Sequence, residues 1–337
     1  MKPVIAISLG DVNGVGPEVI LKAFVRSDLF TQCRPVVFGP AECIEWRESH
    51  LGTGIDIPRI TSLEEAREGS ISLFDTGGVF DPSQIGRATA EAGAHAIRAI
   101  EAAYAAVRDG GAEALVTAPV SKEAIALAGS PFKGHTDMLA AMAGAANRVI
   151  MILRSNTLTV GLVTIHVPLR EVAPLVTHER VLRTIEAGRS ALETDFGVQR
   201  PRLAVLALNP HAGDGGAIGS EEIEAIVPAI AEARAAGIAV EGPFPADGFF
   251  SAHNRDLFDM VVAMYHDQGL IPFKLQARGR GVNVSSGLPI VRTSPDHGTA
   301  YNIAGQGIAS ADSMKEAILA ARTIAVNRGL AAAGGSR

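Results

Sequence analysis

Strand-like and helix-like stretches alternate along almost the whole chain, and no other feature limits the possible folds so tightly. Val4–Ser8 reads as a strand, and 17–25 as a helix with Pro17 at its start, where helices accept proline. Strands are expected over 36–38, 71–74 and 114–118, with helices over 41–50, 88–108 and 121–128. The long Ala-rich helix stops at Gly110 and Gly111. A further helix starts at His135, and strands over 149–153 and 158–165 flank the polar pair Ser155 and Asn156, a hairpin signal. Helices over 178–195 and 220–236 surround a strand over 202–208. The last elements are a strand over 260–265, strand-like segments over 282–285 and 289–291, and helices near 299–304 and 312–327. Such alternation means βαβ units and an α/β protein with a mixed, mostly parallel sheet.

The 337 residues are long for one domain and comfortable for two. No linker rich in Pro, Gly or Ser separates them, so spacing alone does not place the boundary. A 47% hydrophobic share with only 5% aromatic residues points to cores of Ala, Val, Ile and Leu, as in strands covered on both faces. A net charge of −6 gives no support to nucleic-acid binding, for which a basic surface is expected. Cys33 and Cys43 are the only cysteines, too few for a disulfide framework or a Cys-based zinc site. The start, MKPVIAISLGDVNG, reads as a first strand and not as a signal peptide. No apolar run approaches the ~18 residues of a membrane span, so a cytoplasmic protein is expected.

Three histidines share one context. His166 follows VGLVTI, His211 follows LAVLALNP, and His266 follows MVVAMY. Their spacing matches no local metal motif. Strands of a parallel sheet, however, bring their carboxyl ends to one region, where ligands bind. Three neutral imidazoles with an open fourth position suit a catalytic divalent metal. Equally, histidines at strand ends can simply bond the following loops.

The region 260–300 gathers further polar groups. Lys274, Arg278, Arg280, Asn283 and Arg292 could bind an anionic substrate, although Arg278 and Arg280 also read as surface charges. The segment KGHTD puts His135 and Thr136 at a helix start, which favours anions, while Thr136 or Asp137 could serve as a simple N-cap. Asp247 and Asp267 are the acids nearest these features, as proton acceptors or as partners of a metal-bound imidazole. The loop NPHAGDGGAIG lets backbone approach a metal site or merely flexes. GDVNGVG is not a G-x-G-x-x-G motif and reads as a tight turn near the site.

Several long motifs then stand together: GDVNGVGPE, LVTAPVSK, FKGHTD, TIHVPLR, LNPHAGDGG, MYHDQGLIPFK, GRGVNVSSGLPIVRTSPDHGTA and IAGQGIA. In this order they closely resemble the 4-hydroxythreonine-4-phosphate dehydrogenase family of pyridoxal phosphate biosynthesis, from about residue 3 to residue 327. The resemblance implies two α/β/α domains of isocitrate/isopropylmalate dehydrogenase-like type around a central cleft. The first is expected near 1–128 and 290–337, the second near 129–289. It implies metal ligands at His166, His211 and His266, for one zinc, magnesium or cobalt ion shared between the subunits of a homodimer. Substrate-binding residues fall on His135, Thr136, Lys274, Asn283 and Arg292. NAD or NADP would meet the turn at Asp296, His297, Gly298 and Thr299, like the HGTAPDIAG turn of the related dehydrogenases.

The implied reaction is oxidation and decarboxylation of 4-phosphohydroxy-L-threonine to 3-amino-2-oxopropyl phosphate, with Asp247 or Asp267 as base. Similar enzymes act on 4-phospho-D-threonate, 4-phospho-D-erythronate or a dihydrodiol dicarboxylate. A three-His metal hydrolase is a further alternative, though it would not need the DHGTA turn. Three departures from the family pattern stand out. Tyr301 and Asn302 replace Pro-Asp of the HGTAPDIAG turn, Val12 and Asn13 replace Pro-Ala, and Asp137 replaces Glu.

Overall fold

The computed structural model describes residues 2–145, 149–251 and 257–334. The chain divides into two compact units, Met1–Val149 with Leu288–Val326, and Ile150–Gly287 with Asn327–Arg337. The first departs from the expected boundary at 128, because Met138, Leu139 and Ala145 pack into one cluster with Val4, Ala6 and Leu115.

The first unit begins with β1 (Val4–Ser8), α1 (Gly16–Phe24), α2 (Leu29–Gln32), β2 (Arg34–Gly39) and α3 (Ala41–Leu51). It continues with β3 (Arg59–Ile60), β4 (Ser72–Asp75), α4 (Ala90–Arg108), β5 (Ala114–Thr117), α5 (Lys122–Leu127) and α6 (His135–Met142). All five residues of β1 are buried, as a central parallel strand requires. Thr89 caps α4 by accepting from Ala92 N at 3.1 Å. Ala92, Ala96, Ala99, Ile100, Ala103 and Val107 give that helix one buried, helically spaced face.

The second unit contains β6 (Ile150–Arg154), β7 (Thr159–Leu162), α7 (Val172–Leu175), α8 (His178–Thr194), β8 (Arg202–Leu206) and α9 (Val227–Ala235). It continues with β9 (Ala239–Phe244), α10 (Ala246–Ser251), β10 (Met260–Ala263), α11 (His266–Ala277) and β11 (Val282–Ser286). The chain returns to the first unit with β12 (Arg292–Pro295) and α12 (Asp312–Gly334). After Val326, Arg328 Nε meets the buried Asp195 Oδ1 at 2.7 Å in the second unit.

Strands of the first unit run β3-β4-β2-β1-β5-β12, each pair parallel. The chain leaves β1 toward β2 on one side, whereas β5 lies on the other side of β1 and the next strand of this unit, β12, lies beyond it. The gap beyond the carboxyl ends of β1 and β5 is therefore a topological switch point. The second unit runs β11-β6-β7-β10-β8-β9. There β11/β6 and β6/β7 are antiparallel, whereas β7/β10, β10/β8 and β8/β9 are parallel. The hairpin expected around Ser155 is β6–β7.

Four local expectations change. The strand expected over 289–291 starts later, as β12. The helix expected near 299–304 is one 3-10 turn, Tyr301–Ile303, because Ala300 is left-handed with φ 44°. The helix expected over 220–236 opens as a π-turn at Glu222–Ile226 before α9. Pro228 lacks an N–H, and an ordinary helix would clash there with the preceding turn. Finally, α11 was not expected, since Gly269 and Pro272 disguise its helical pattern.

Candidate active site

At the switch point of the first unit, Arg292 opens β12 only 2% exposed. Its register partner on β5 is Leu115. Its Nη2 donates to Thr117 Oγ1 at 2.6 Å and its Nε to the same oxygen at 3.2 Å. Burial pushes its pKa down to about 10, so it remains cationic at neutral pH.

His135 is the first residue of α6. The N-cap is Gly134, and no side chain caps this helix, which removes the simple capping reading of Thr136 and Asp137. Burial, then the charge of Arg292, pushes the His135 imidazole well below the usual histidine range, against a hydrogen bond at the Ala118 backbone. The ring is therefore neutral at pH 7. Its Nε2 is buried with no hydrogen-bond partner. A buried cation beside a buried, unsatisfied imidazole is chemistry suited to an anion.

The turn after β12 sits on the loop after β1. Thr299 O accepts from Val15 N at 2.9 Å. A Cβ at Gly14 would lie 3.0 Å from the Thr299 side chain, so glycine is what permits the approach. Tyr301 Oη donates to Asp11 Oδ2 at 2.6 Å. Tyr301, a departure from the related dehydrogenases, thus anchors the turn. Arg47, only 1% exposed, donates to Val12 O at 3.2 Å and Gly14 O at 3.3 Å. Asp296 N is held by Ser313 Oγ at 2.9 Å, while His297 Nε2 is buried without a partner.

In the second unit, all three histidines follow adjacent parallel strands. β7/β10 register pairs Val261 with Val160, which carries position 266 to 165, one residue from His166. β10/β8 register pairs Val261 with Ala204, which carries position 266 to 209, two residues short of His211. The rings of His166 and His266 lie 5.7 Å apart, centroid to centroid. His266 Nδ1 bonds Asp267 Oδ1 at 2.7 Å, which leaves Nε2 as the ring nitrogen that could face a metal.

His211 does not join them. Among the described residues no group of three or more His, Cys, Asp or Glu is placed to hold a metal. The reason is local. His211 opens a left-handed run, with φ 52° at His211, 54° at Ala212, 76° at Gly213, 46° at Asp214 and 67° at Gly215. The buried Glu222 braces the base of this loop, accepting from Leu208 N at 2.9 Å, Asn209 N at 2.8 Å and Asn209 Nδ2 at 2.9 Å. One chain therefore gathers two of the three expected ligands. Paired imidazoles with a carboxylate on one Nδ1 fit a divalent metal, and a third donor must come from beyond this pair.

Asn283 lies on β11 with Oδ1 buried and unpartnered. Lys274 projects from an exposed position on α11, and Arg278 and Arg280 are exposed too. Asp247 is exposed in the first turn of α10. Asp267 is 72% exposed and engaged by His266. Three supports escaped the sequence. They are Thr117 under Arg292, Glu222 under the His211 loop, and Gln268, which donates to Ala207 O at 2.6 Å and accepts from Met264 N at 2.7 Å. The only sequence signal for Gln268 is its place in YHDQG.

A family profile described as Pyridoxal phosphate biosynthetic protein PdxA matches residues 31–321. The 4-hydroxythreonine-4-phosphate dehydrogenase of Geobacter metallireducens is 46% identical over 331 residues, 97% of each chain. The D-threonate 4-phosphate dehydrogenase of Cupriavidus necator is 43% identical over 329 residues, 97% of this chain and 98% of that one. The crystal structure of a 4-hydroxythreonine-4-phosphate dehydrogenase from Klebsiella pneumoniae matches with a TM-score of 0.84 at 38% identity, covering 96% of this chain and 98% of that one.

Proposed function

The chain belongs to the PdxA family of pyridoxal phosphate biosynthetic proteins, and on that premise we propose that it oxidises and decarboxylates 4-phosphohydroxy-L-threonine with NAD, giving 3-amino-2-oxopropyl phosphate. The observation that carries this reading is the buried Arg292 beside the neutral His135, whose buried Nε2 has no partner, a pair suited to an anionic end of the substrate. Thr136, Lys274 and Asn283 complete the substrate-binding set. Asp296, His297, Gly298 and Thr299 form the cofactor turn.

His166, His211 and His266 would hold one divalent metal, with a second copy of the chain completing the set in a homodimer. NAD supplies the hydride acceptor, and the metal supplies a Lewis acid for the substrate hydroxyl. The chain's own groups do the rest. Arg292 and Lys274 offset the charge of the phosphate and carboxylate. Asp267 holds the His266 ring in one tautomer. Asp247 or Asp267 would receive the hydroxyl proton, and the bond from Asp267 to His266 favours Asp247 for that role. Among the described residues no helix is long and apolar enough to cross a membrane, in keeping with work in the cytoplasm.

The 43% identity to a D-threonate 4-phosphate dehydrogenase supports a second reading, in which 4-phospho-D-threonate is the substrate. Assaying both compounds side by side with NAD, with and without chelator, separates the two. Turnover of neither would overturn both readings.

A further inference from the structure

Met264, fully buried, is the last apolar residue before Tyr265 and His266, and its peptide groups are clamped from two directions. Its carbonyl accepts from Thr164 N at 3.1 Å and from Thr164 Oγ1 at 2.8 Å. Its N–H donates to Gln268 Oε1 at 2.7 Å. The other end of the Gln268 amide donates to Ala207 O at 2.6 Å. These bonds lie just beyond the last ladder pairs of β7, β10 and β8. Thr164 stands two residues before His166, Met264 two before His266, and Ala207 at the base of the loop that carries His211.

Parallel strands fray at their ends, where ladder bonds stop. Here one side-chain amide continues the lock from β10 to β8, and one threonine continues it from β7 to β10. Gln268 serves both ends with the groups it has: an acceptor toward an N–H and a donor toward a carbonyl. An acid at this position would present an acceptor to the Ala207 carbonyl, and a leucine would leave two buried backbone groups unpaired.

We propose that Gln268 is a positioning residue for the metal centre, tying the strand end that carries His266 to the base of the loop that carries His211, with Thr164 as its counterpart between the His166 and His266 strand ends. The inference rests on the metal reading above. It adds that affinity and geometry depend on a residue that touches no metal.

The test is titration of the full chain with Co²⁺ alone, following its visible d–d absorption. Wild type is compared with Gln268→Leu, Gln268→Glu, Thr164→Val and a core control in the first unit, Val107→Ala. Gln268→Leu is expected to weaken Co²⁺ binding by about tenfold and to alter the absorption band, the scale found for outer partners of metal ligands. Gln268→Glu and Thr164→Val should show smaller losses, while Val107→Ala lowers Tm and leaves the band unchanged. Binding within twofold of wild type in Gln268→Leu, or an equal loss in Val107→Ala, overturns the inference while leaving the metal reading intact. No Co²⁺ binding by wild type overturns the metal reading and this inference together.

Discussion

Tyr301 donates its hydroxyl to Asp11 Oδ2 at 2.6 Å, and this bond joins the turn after β12 to the loop after β1. Burial pushes the Asp11 carboxyl up, and bonds from Tyr301 and Asn13 draw it partly back. The same turn contains Ala300 at φ 44°, a left-handed backbone that costs a non-glycine residue about 1–2 kcal/mol and persists only where its surroundings enforce it. Tyr301→Phe removes one enforcing bond and takes the hydroxyl donor away from a buried carboxylate. Stability is expected to fall by about 1–3 kcal/mol. The KM for NAD should rise while kcat holds. Urea midpoints and initial rates check both, and no change in either would refute the anchoring role.

Arg292 matters for shape as much as for charge. Its Nε and Nη2 both reach Thr117 Oγ1, which a lysine ammonium on a flexible stem cannot reproduce. Arg292→Lys is therefore expected to lower kcat/KM for an anionic substrate by about 100-fold, the scale of one charge-assisted hydrogen bond. Steady-state kinetics on 4-phosphohydroxy-L-threonine provide the check, and a loss below threefold would exclude Arg292 from substrate binding.

Two histidines tie stability to pH. His95 Nε2 meets Val79 O at 3.0 Å and Nδ1 meets Arg98 Nη2 at 2.8 Å, and burial pushes its pKa down. His135 is pushed down for the same first reason. Lowered folded-state values mean that unfolding takes up protons once pH falls below about 6.5, the free histidine value. Their contribution is complete above that pH and is lost as pH falls through the lowered folded-state values. Tm is expected to drop between pH 7.5 and pH 5.5, and His95→Gln should flatten that slope. Equal slopes in wild type and variant would remove His95 from the account.

The strand-end histidines were legible because an apolar run followed by His says where a parallel strand stops. The alternation of elements gave the class of sheet for the same local reason. Strand order did not follow, so the switch point under Arg292 and the β7-β10-β8 neighbourhood were out of reach. Side-chain bridges such as Gln268 to Ala207 join residues 61 positions apart, and no local pattern encodes them. The left-handed run at His211 was equally hidden, since His, Ala and Asp rarely adopt that backbone.

The proposed metal set, with the His166–His266 pair at its centre, predicts metal dependence. Chelation is expected to abolish turnover, and Asp267→Asn should weaken metal binding by about 10-fold or more through loss of the carboxylate on His266 Nδ1. His211→Ala should lose metal as fully as His266→Ala, since the proposed set needs all three imidazoles. Metal analysis of the purified variants decides this, and full metal content in His211→Ala would exclude it as a ligand.

Glu222 offers a test of how the His211 loop is held. Its Oε1 takes both Leu208 N and Asn209 N, and its Oε2 takes Asn209 Nδ2 at 2.9 Å. Glu222→Gln keeps an acceptor for the two backbone groups but turns an NH₂ toward the Asn209 amide. Asn209 cannot simply flip, because Glu221 Oε2 accepts from the same Nδ2 at 2.7 Å, and a flip would set its Oδ1 against that carboxylate. The mismatch should cost about 1–3 kcal/mol, enough to loosen a run whose left-handed residues are themselves unfavourable. Hydrogen exchange at Leu208 and Asn209 is expected to speed up in the variant, with amides on the far strand β11 unaffected. Unchanged exchange at both residues would mean that the run is held by its glycines alone.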